Sequence, residues 1–394
     1  MKRLFVLFWM VMAMLLLAAC APAATPTQAP ATSAPAATTA PVAPTTAPAA
    51  TSAPTSAPAT PTKAAAATTA PSAKGKICMV TDAGGIDDKA FNATAWQGAQ
   101  LAGKNQGWDA TYLESRQQTD YDKNINEFLG SKCDLIVTVG FRMGDAVKAA
   151  AQKNPNQKFQ ILDVAYDPPL PNVWGQVYAM EQPTFMVGYL AAGMSKNGKA
   201  GVFGGLNIPP VADFFIGFEQ GIKYYNQQKS GKVQLLGWSN AKLDGLFVGS
   251  FTDGDGGRRM AETLMDEGVD VMLPQGGPEG LAAATAMKQR GNVIMIGVDT
   301  DQVASAPENS SITLTSAVKH LEISVQLAAK AVADGTFKGG SHVSTLAEGG
   351  VGITPFHEFE NKVPAALKAE LDQIKADIIS GKIKIDNWAS LKKP

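Results

Sequence analysis

The chain has 394 residues, with 34 Lys and Arg against 35 Asp and Glu and a formal net charge of −1. A balance so near zero excludes nucleic acid, or any strongly charged ligand, as a partner held by charge. Once an apolar leader and a low-complexity stretch are set aside, roughly 320 residues remain, too many for one ordinary core and typical of two lobes.

Lys2 and Arg3 precede an apolar run from Leu4 to Ala19. That run is short for a membrane span and has the length of a signal-peptide core. It ends in Leu17-Ala18-Ala19-Cys20, which resembles a bacterial lipobox. The resemblance implies that residues 1–20 are a lipoprotein signal peptide, that Cys20 carries the lipid, and that the mature protein sits on the extracytoplasmic face of the cell membrane. Each buried methylene of such an anchor contributes about 0.8 kcal/mol. Residues 21–75 are almost wholly Ala, Pro, Thr and Ser, and Lys63 is the one charge from Ala21 to Ser72. This composition cannot offset its ordering entropy by burial, so a disordered, polyproline-biased tether is expected. Its Thr and Ser beside Pro also match O-glycosylated stalks.

From Lys76 onward strand and helix signals alternate. Strands are predicted at Ile77–Thr81, Ala110–Leu113, Leu135–Val139, Phe159–Leu162 and Val173–Tyr178, with helices at Phe91–Asn105, from about Tyr121, and at Asp145–Lys153. A second series has strands at Ala200–Phe203, near Val233, at Val269–Leu273 and at Val293–Val298. The tail from Pro364 reads as an amphipathic helix followed by a strand-like end at Ile383–Ile385. Alternation of this kind predicts an α/β fold with parallel sheets covered on both faces. Two series, joined near Gln182 and again after Asp301, predict two doubly wound parallel-sheet lobes joined by crossovers. The first lobe is expected at residues 76–180 plus about 303–330, and the second at 181–302 plus about 331–394. Cys78 and Cys133 can form one disulfide, but their strand-like contexts favour two buried thiols.

In doubly wound sheets ligands bind beyond the carboxyl ends of the strands. The loop after the first strand, Asp82-Ala83-Gly84-Gly85-Ile86-Asp87-Asp88, has two glycines for a tight turn and an aspartate, Asp87 or Asp88, placed to cap the next helix. Asp82 offers a carboxylate acceptor at the strand end, although a turn-capping role fits it too. Phe91, followed by Asn92, offers a flat face, although helical phenylalanines are commonly core residues. An acceptor beside an aromatic plate suits a flat nitrogen heterocycle.

The segment Val80–Asn92 closely resembles the BMP family of basic membrane lipoproteins, which includes a purine nucleoside receptor. Seven further pieces follow in the family's order: Phe159–Asp163, Gly188–Ala192, Gly204–Pro210, Gly217–Gly221, Val248–Asp253, Ile296–Gln302 and Leu314–Lys319. The resemblance implies a type I periplasmic-binding-protein fold and capture of a small-molecule ligand, a purine nucleoside, for an ABC permease. It implies no cofactor, no metal and no catalysis. It implies that Asp82 reads the base edge, Phe91 stacks on the base, Asp163 supports the site, Asp299 accepts from ribose hydroxyls and Lys319 donates near the sugar. Asn92 joins this set, and the Gly276-Gly277 loop is expected to seal the cleft from the second lobe, with Asp299 on the first. A lysine before a helix, as at Lys319, is ordinarily solvated. The family's second stacking aromatic aligns near Leu273, where this chain has none; Phe251, Phe141 or Trp174 are the candidates to replace it.

Two other readings compete. The same cleft suits a sensory receptor. The aspartate-rich loop also superficially resembles calcium-dependent nucleoside hydrolases, but Val80 occupies the place of their first aspartate. His320, His342 and His357 are isolated and have neither metal spacing nor a neighbouring nucleophile.

Overall fold

A computed structural model describes residues 75–393. The expected signal peptide, Cys20 and the tether up to residue 74 lie outside the described residues. No described helix is long and apolar enough to cross a membrane.

The first lobe is built on β1 (Lys76–Val80), β2 (Asp109–Leu113), β3 (Leu135–Val139), β4 (Lys158–Leu162) and β5 (Val173–Tyr178). These alternate with α1 (Phe91–Gln106), α2 (Asp120–Gly130) and α3 (Gly144–Lys153). The second lobe repeats the scheme with β6 (Lys199–Gly204), β7 (Gln234–Leu236), a small hairpin of β8 (Trp238–Ser239) and β9 (Asp244–Gly245), then β10 (Val271–Gln275), β11 (Ile294–Asp299) and β12 (Thr313–Lys319). Its helices are α4 (Glu181–Met194), α5 (Pro209–Lys229), α6 (Gly254–Asp266) and α7 (Pro278–Arg290). The chain then supplies α8 (Leu321–Ala333), β13 (Gly340–Ser344), β14 (Val351–Ile353) and α9 (Ala365–Ile379).

The two large sheets have the orders β13-β5-β4-β3-β1-β2 and β14-β12-β11-β10-β6-β7. Read side by side, β1 corresponds to β6, β3 to β10 and β4 to β11, so the lobes repeat one another strand for strand. The pairings are parallel except β12 with β14 and the small hairpin. Apolar runs such as Leu135-Ile136-Val137 are buried on both faces, as helix-covered parallel strands must be.

Three features differ from those expected. β12 pairs with β11, so the return to the first lobe falls at Lys319–Leu321, well after residue 303. A third crossover follows, because β13 adds to the first sheet and β14 to the second. Hydrogen bonds tie the three crossovers together: Leu346 N donates to Gln182 Oε1, Ala179 N to the Ser344 carbonyl and His320 N to the Gly350 carbonyl. Ile383–Ile385 forms no strand; its isoleucines pack on the core from a loop.

Cys78 and Cys133 form a disulfide, in place of the two thiols expected. Strands β1 and β3 are neighbours, and the Lys76 amide bonds to the Asp134 carboxylate, which carries the turn before β3 alongside Cys78. The resulting Cα–Cα distance of 6.0 Å falls in the range a bridge needs.

Candidate functional site

The carboxyl ends of both sheets face one cleft lined by residues of both lobes, the place where doubly wound sheets hold small ligands. All eight residues expected to contact a ligand line it: Asp82, Phe91, Asn92, Asp163, Gly276, Gly277, Asp299 and Lys319.

The first lobe supplies one wall. Asp82 follows β1, and its Oδ1 accepts from Gly84 N at 2.9 Å and from Asn92 Nδ2 at 2.8 Å. Asn92 Oδ1 in turn accepts from Asp82 N at 3.2 Å, so the two side chains fix one another. Capping of α1 falls to Asp88, whose carboxylate accepts from the amides of Ala90, Asn92 and Ala93. Asp82 is thereby spared this duty, and its Oδ2 has no hydrogen-bond partner among the described residues. A Cβ at Gly140 would sit 3.1 Å from that oxygen, so the glycine, at φ 120°, makes room for it. Burial raises the Asp82 carboxyl above its usual range, and the bonds from Asn92 and Gly84 offset this in part. Burial likewise pushes Asp88 up to about 6.

At the floor, Lys319 ends β12 with 3% of its surface exposed, away from the solvated position ordinary for such a lysine. Its Nζ donates to Asp163 Oδ2 at 2.7 Å and lies 3.7 Å from Asp299 Oδ1. It also lies 4.9 Å from the centre of the Phe91 ring and 5.4 Å from that of Phe214. Burial alone would lower the ammonium, but Asp163 and Asp299 reverse this and the net direction is up, so Lys319 stays charged. Burial takes Asp299 up to about 6, with Lys319 opposing it. Asp163 directly follows the first-lobe strand β4, whereas Asp299 ends β11 and belongs to the second lobe, not the first as expected. The ion pair Asp163–Lys319 therefore spans the lobes.

The second lobe closes the other side. Gly276 has φ 149°, the counterpart of Gly140 on the equivalent strand. A Cβ at Gly277 would come within 2.9 Å of the Asp88 Cβ, so this loop touches the first lobe. Phe251 and Phe141 line the cleft, while Trp174 stands apart from it, stacked on His342 at 3.5 Å. Leu273 is wholly buried inside β10 and carries no face toward a ligand. Of the three candidates to replace the aromatic, Phe251 and Phe141 thus stand at the cleft, each on a loop whose reach is not visible in strand periodicity. Gln275, Ile208 and Val211 line the cleft as well, and were not predicted as contacts.

A family model described as "ABC transporter substrate-binding protein PnrA-like" matches residues 76–388. The chain belongs to this Bmp family. It is 31% identical over 325 residues to the ABC transporter nucleoside-binding protein BmpA of Lactococcus lactis, covering 78% of this chain and 88% of that one. It is 30% identical over 325 residues to the CD4+ T-cell-stimulating antigen of Listeria monocytogenes, covering 78% and 87%. An ABC transporter system solute-binding protein from Aeropyrum pernix K1 superposes with a TM-score of 0.72 at 26% identity, over 79% of this chain and 93% of that one. The Bmp chain is thus an ABC transporter substrate-binding protein with the type I periplasmic-binding-protein fold.

Proposed function

We propose that the protein captures a purine nucleoside between its lobes and presents it, unchanged, to an ABC permease. In this reading it is held at the extracytoplasmic face of the membrane by lipid on Cys20. The observation that carries the ligand assignment is the combination of Phe91, Phe251 and the unpaired Asp82 Oδ2 around one cleft. Aromatic faces stabilise a flat base by stacking, and the carboxylate accepts from its ring or exocyclic N–H. Asp299 and Lys319 stand within the same cleft, ready to accept from and donate to sugar hydroxyls. The printed name of the Lactococcus lactis relative supports the ligand class. The buried disulfide is in keeping with an oxidising, extracytoplasmic compartment. Asp88 spends its carboxylate on helix amides and Asp82 shares one oxygen with Asn92, which leaves little of the loop for a hydrolytic metal.

Titration calorimetry of the chain from Ala21 onward against guanosine, inosine, adenosine, cytidine and ribose tests this. Saturable binding of purine nucleosides, with no ribose released on chromatography, is expected. Preference for cytidine or ribose, or release of free base, would refute it.

A further inference from the structure

Gln275 is left without a task by the nucleoside reading, on which the following rests. It ends β10 on the floor of the cleft with 5% of its surface exposed. Its Oε1 is buried with no hydrogen-bond partner among the described residues. On the neighbouring strand β6, Gln275 is in register with Gly204. A Cβ at Gly204 would lie 3.4 Å from Gln275 Oε1, and the other groups meeting that point are the apolar Val211 and Phe215. A buried amide oxygen without a partner destabilises a fold, and such violations of local rules mark functional positions.

The amide's chemistry indicates what completes it. Asp82 can only accept, whereas a glutamine amide carries a donor and an acceptor side by side in one plane. A heterocycle with an exocyclic amino or carbonyl group beside a ring nitrogen presents the matching pair, the arrangement by which glutamine holds an adenine edge with two bonds. On the second lobe Gln275 stands between Asp299, which ends β11, and Gly204, which ends β6. It thus reaches the cleft from the lobe opposite Asp82. We propose that Gln275 is the specificity-determining residue of the second lobe, pairing its amide with an adjacent donor and acceptor on the ligand's base. A substituted purine nucleoside is then selected over purine riboside, which lacks the exocyclic group.

The test compares the parent, Gln275→Met and Gln275→Glu by titration calorimetry with adenosine, inosine, guanosine and purine riboside, and by thermal melting without ligand. In Gln275→Met the preference for the best substituted nucleoside over purine riboside falls by about ten- to a hundredfold. The same unliganded variant melts at or above the parent's temperature, because an unpartnered amide oxygen has been removed. Gln275→Glu keeps the shape and an acceptor but loses the donor, and its preference falls too. An unchanged preference in either variant, or an equal loss for all four nucleosides, overturns the proposal and leaves the nucleoside reading standing. A Gln275→Met chain that melts well below the parent assigns the amide an internal role and also overturns it. If the parent binds none of the four, the nucleoside reading fails and this proposal fails with it.

Discussion

Asp163 and Asp299 adopt the left-handed backbone, at φ 66° and 65°, at the ends of equivalent strands β4 and β11. Aspartate tolerates this region better than most residues, and here it aims two carboxylates from opposite sheets at one lysine. Their neighbour Asp82 is expected to matter through its free oxygen. Asp82→Ala should weaken purine nucleoside binding about ten- to over a hundredfold by calorimetry, since a donor of the bound base is left unpaired. Phe91→Ala should cost about five- to a hundredfold if the ring stacks, and undiminished guanosine affinity would rule the stacking out. Glu279 gives a different test. It is wholly buried at the start of α7, both its oxygens lack partners among the described residues, and burial pushes its carboxyl up to about 8. The native chain therefore holds a proton between its unfolded value of 4.5 and about 8 that the unfolded chain releases. Stability falls as pH rises through that window, by about 3 kcal/mol at pH 7. Glu279→Gln, which has no proton to lose, should melt above the parent at pH 8 with the gap closing toward pH 5. Parallel melting profiles would exclude the linkage. The aspartates of the cleft were legible in the sequence because they sit at strand ends beside small residues. Glu279 and Gln275 were not, since burial without a partner is a property of the folded surroundings and has no sequence pattern.

At the scale of elements, β-branched runs such as Leu135–Val139 announced the strands, and Asn154-Pro155 marked the end of α3. What the pattern lacked was any sign of which sheet a strand joins. β12 and β13 are consecutive strands joined only through α8, yet they belong to different lobes. Hydrophobic alternation at Ile383–Ile385 suggested a strand, but both isoleucines pack against the core from a loop. Helices α4 and α5 approach so closely that a Cβ at Gly221 would lie 2.0 Å from the Phe185 carbonyl oxygen, which accounts for the glycine there. The loop after β10 obeys a similar limit. A Cβ at Gly276 would meet Glu279 Oε1 at 2.0 Å, on a backbone that L-residues rarely adopt. Gly276→Ala should therefore lower stability by about 1–3 kcal/mol in denaturant unfolding and weaken ligand binding as the loop shifts. A variant matching the parent in both measurements would show that the loop yields freely.

For the whole molecule, the two-lobed architecture followed from length and alternation, while the number and place of the crossovers depended on pairings that form only in space. The same holds for the cysteines: 55 residues separate them, and their meeting is a consequence of β1 lying beside β3. Closing a loop of that length restricts the unfolded chain and contributes about 4 kcal/mol on the chain-entropy account. Cys78→Ala with Cys133→Ala should lower the urea midpoint accordingly, and an unchanged midpoint would show that the bridge adds nothing. Both sulfurs lie within the same half of the protein. The covalent staple thus stiffens one jaw internally and leaves the bite itself to reversible bonds. A captured molecule can be released without any change of oxidation state.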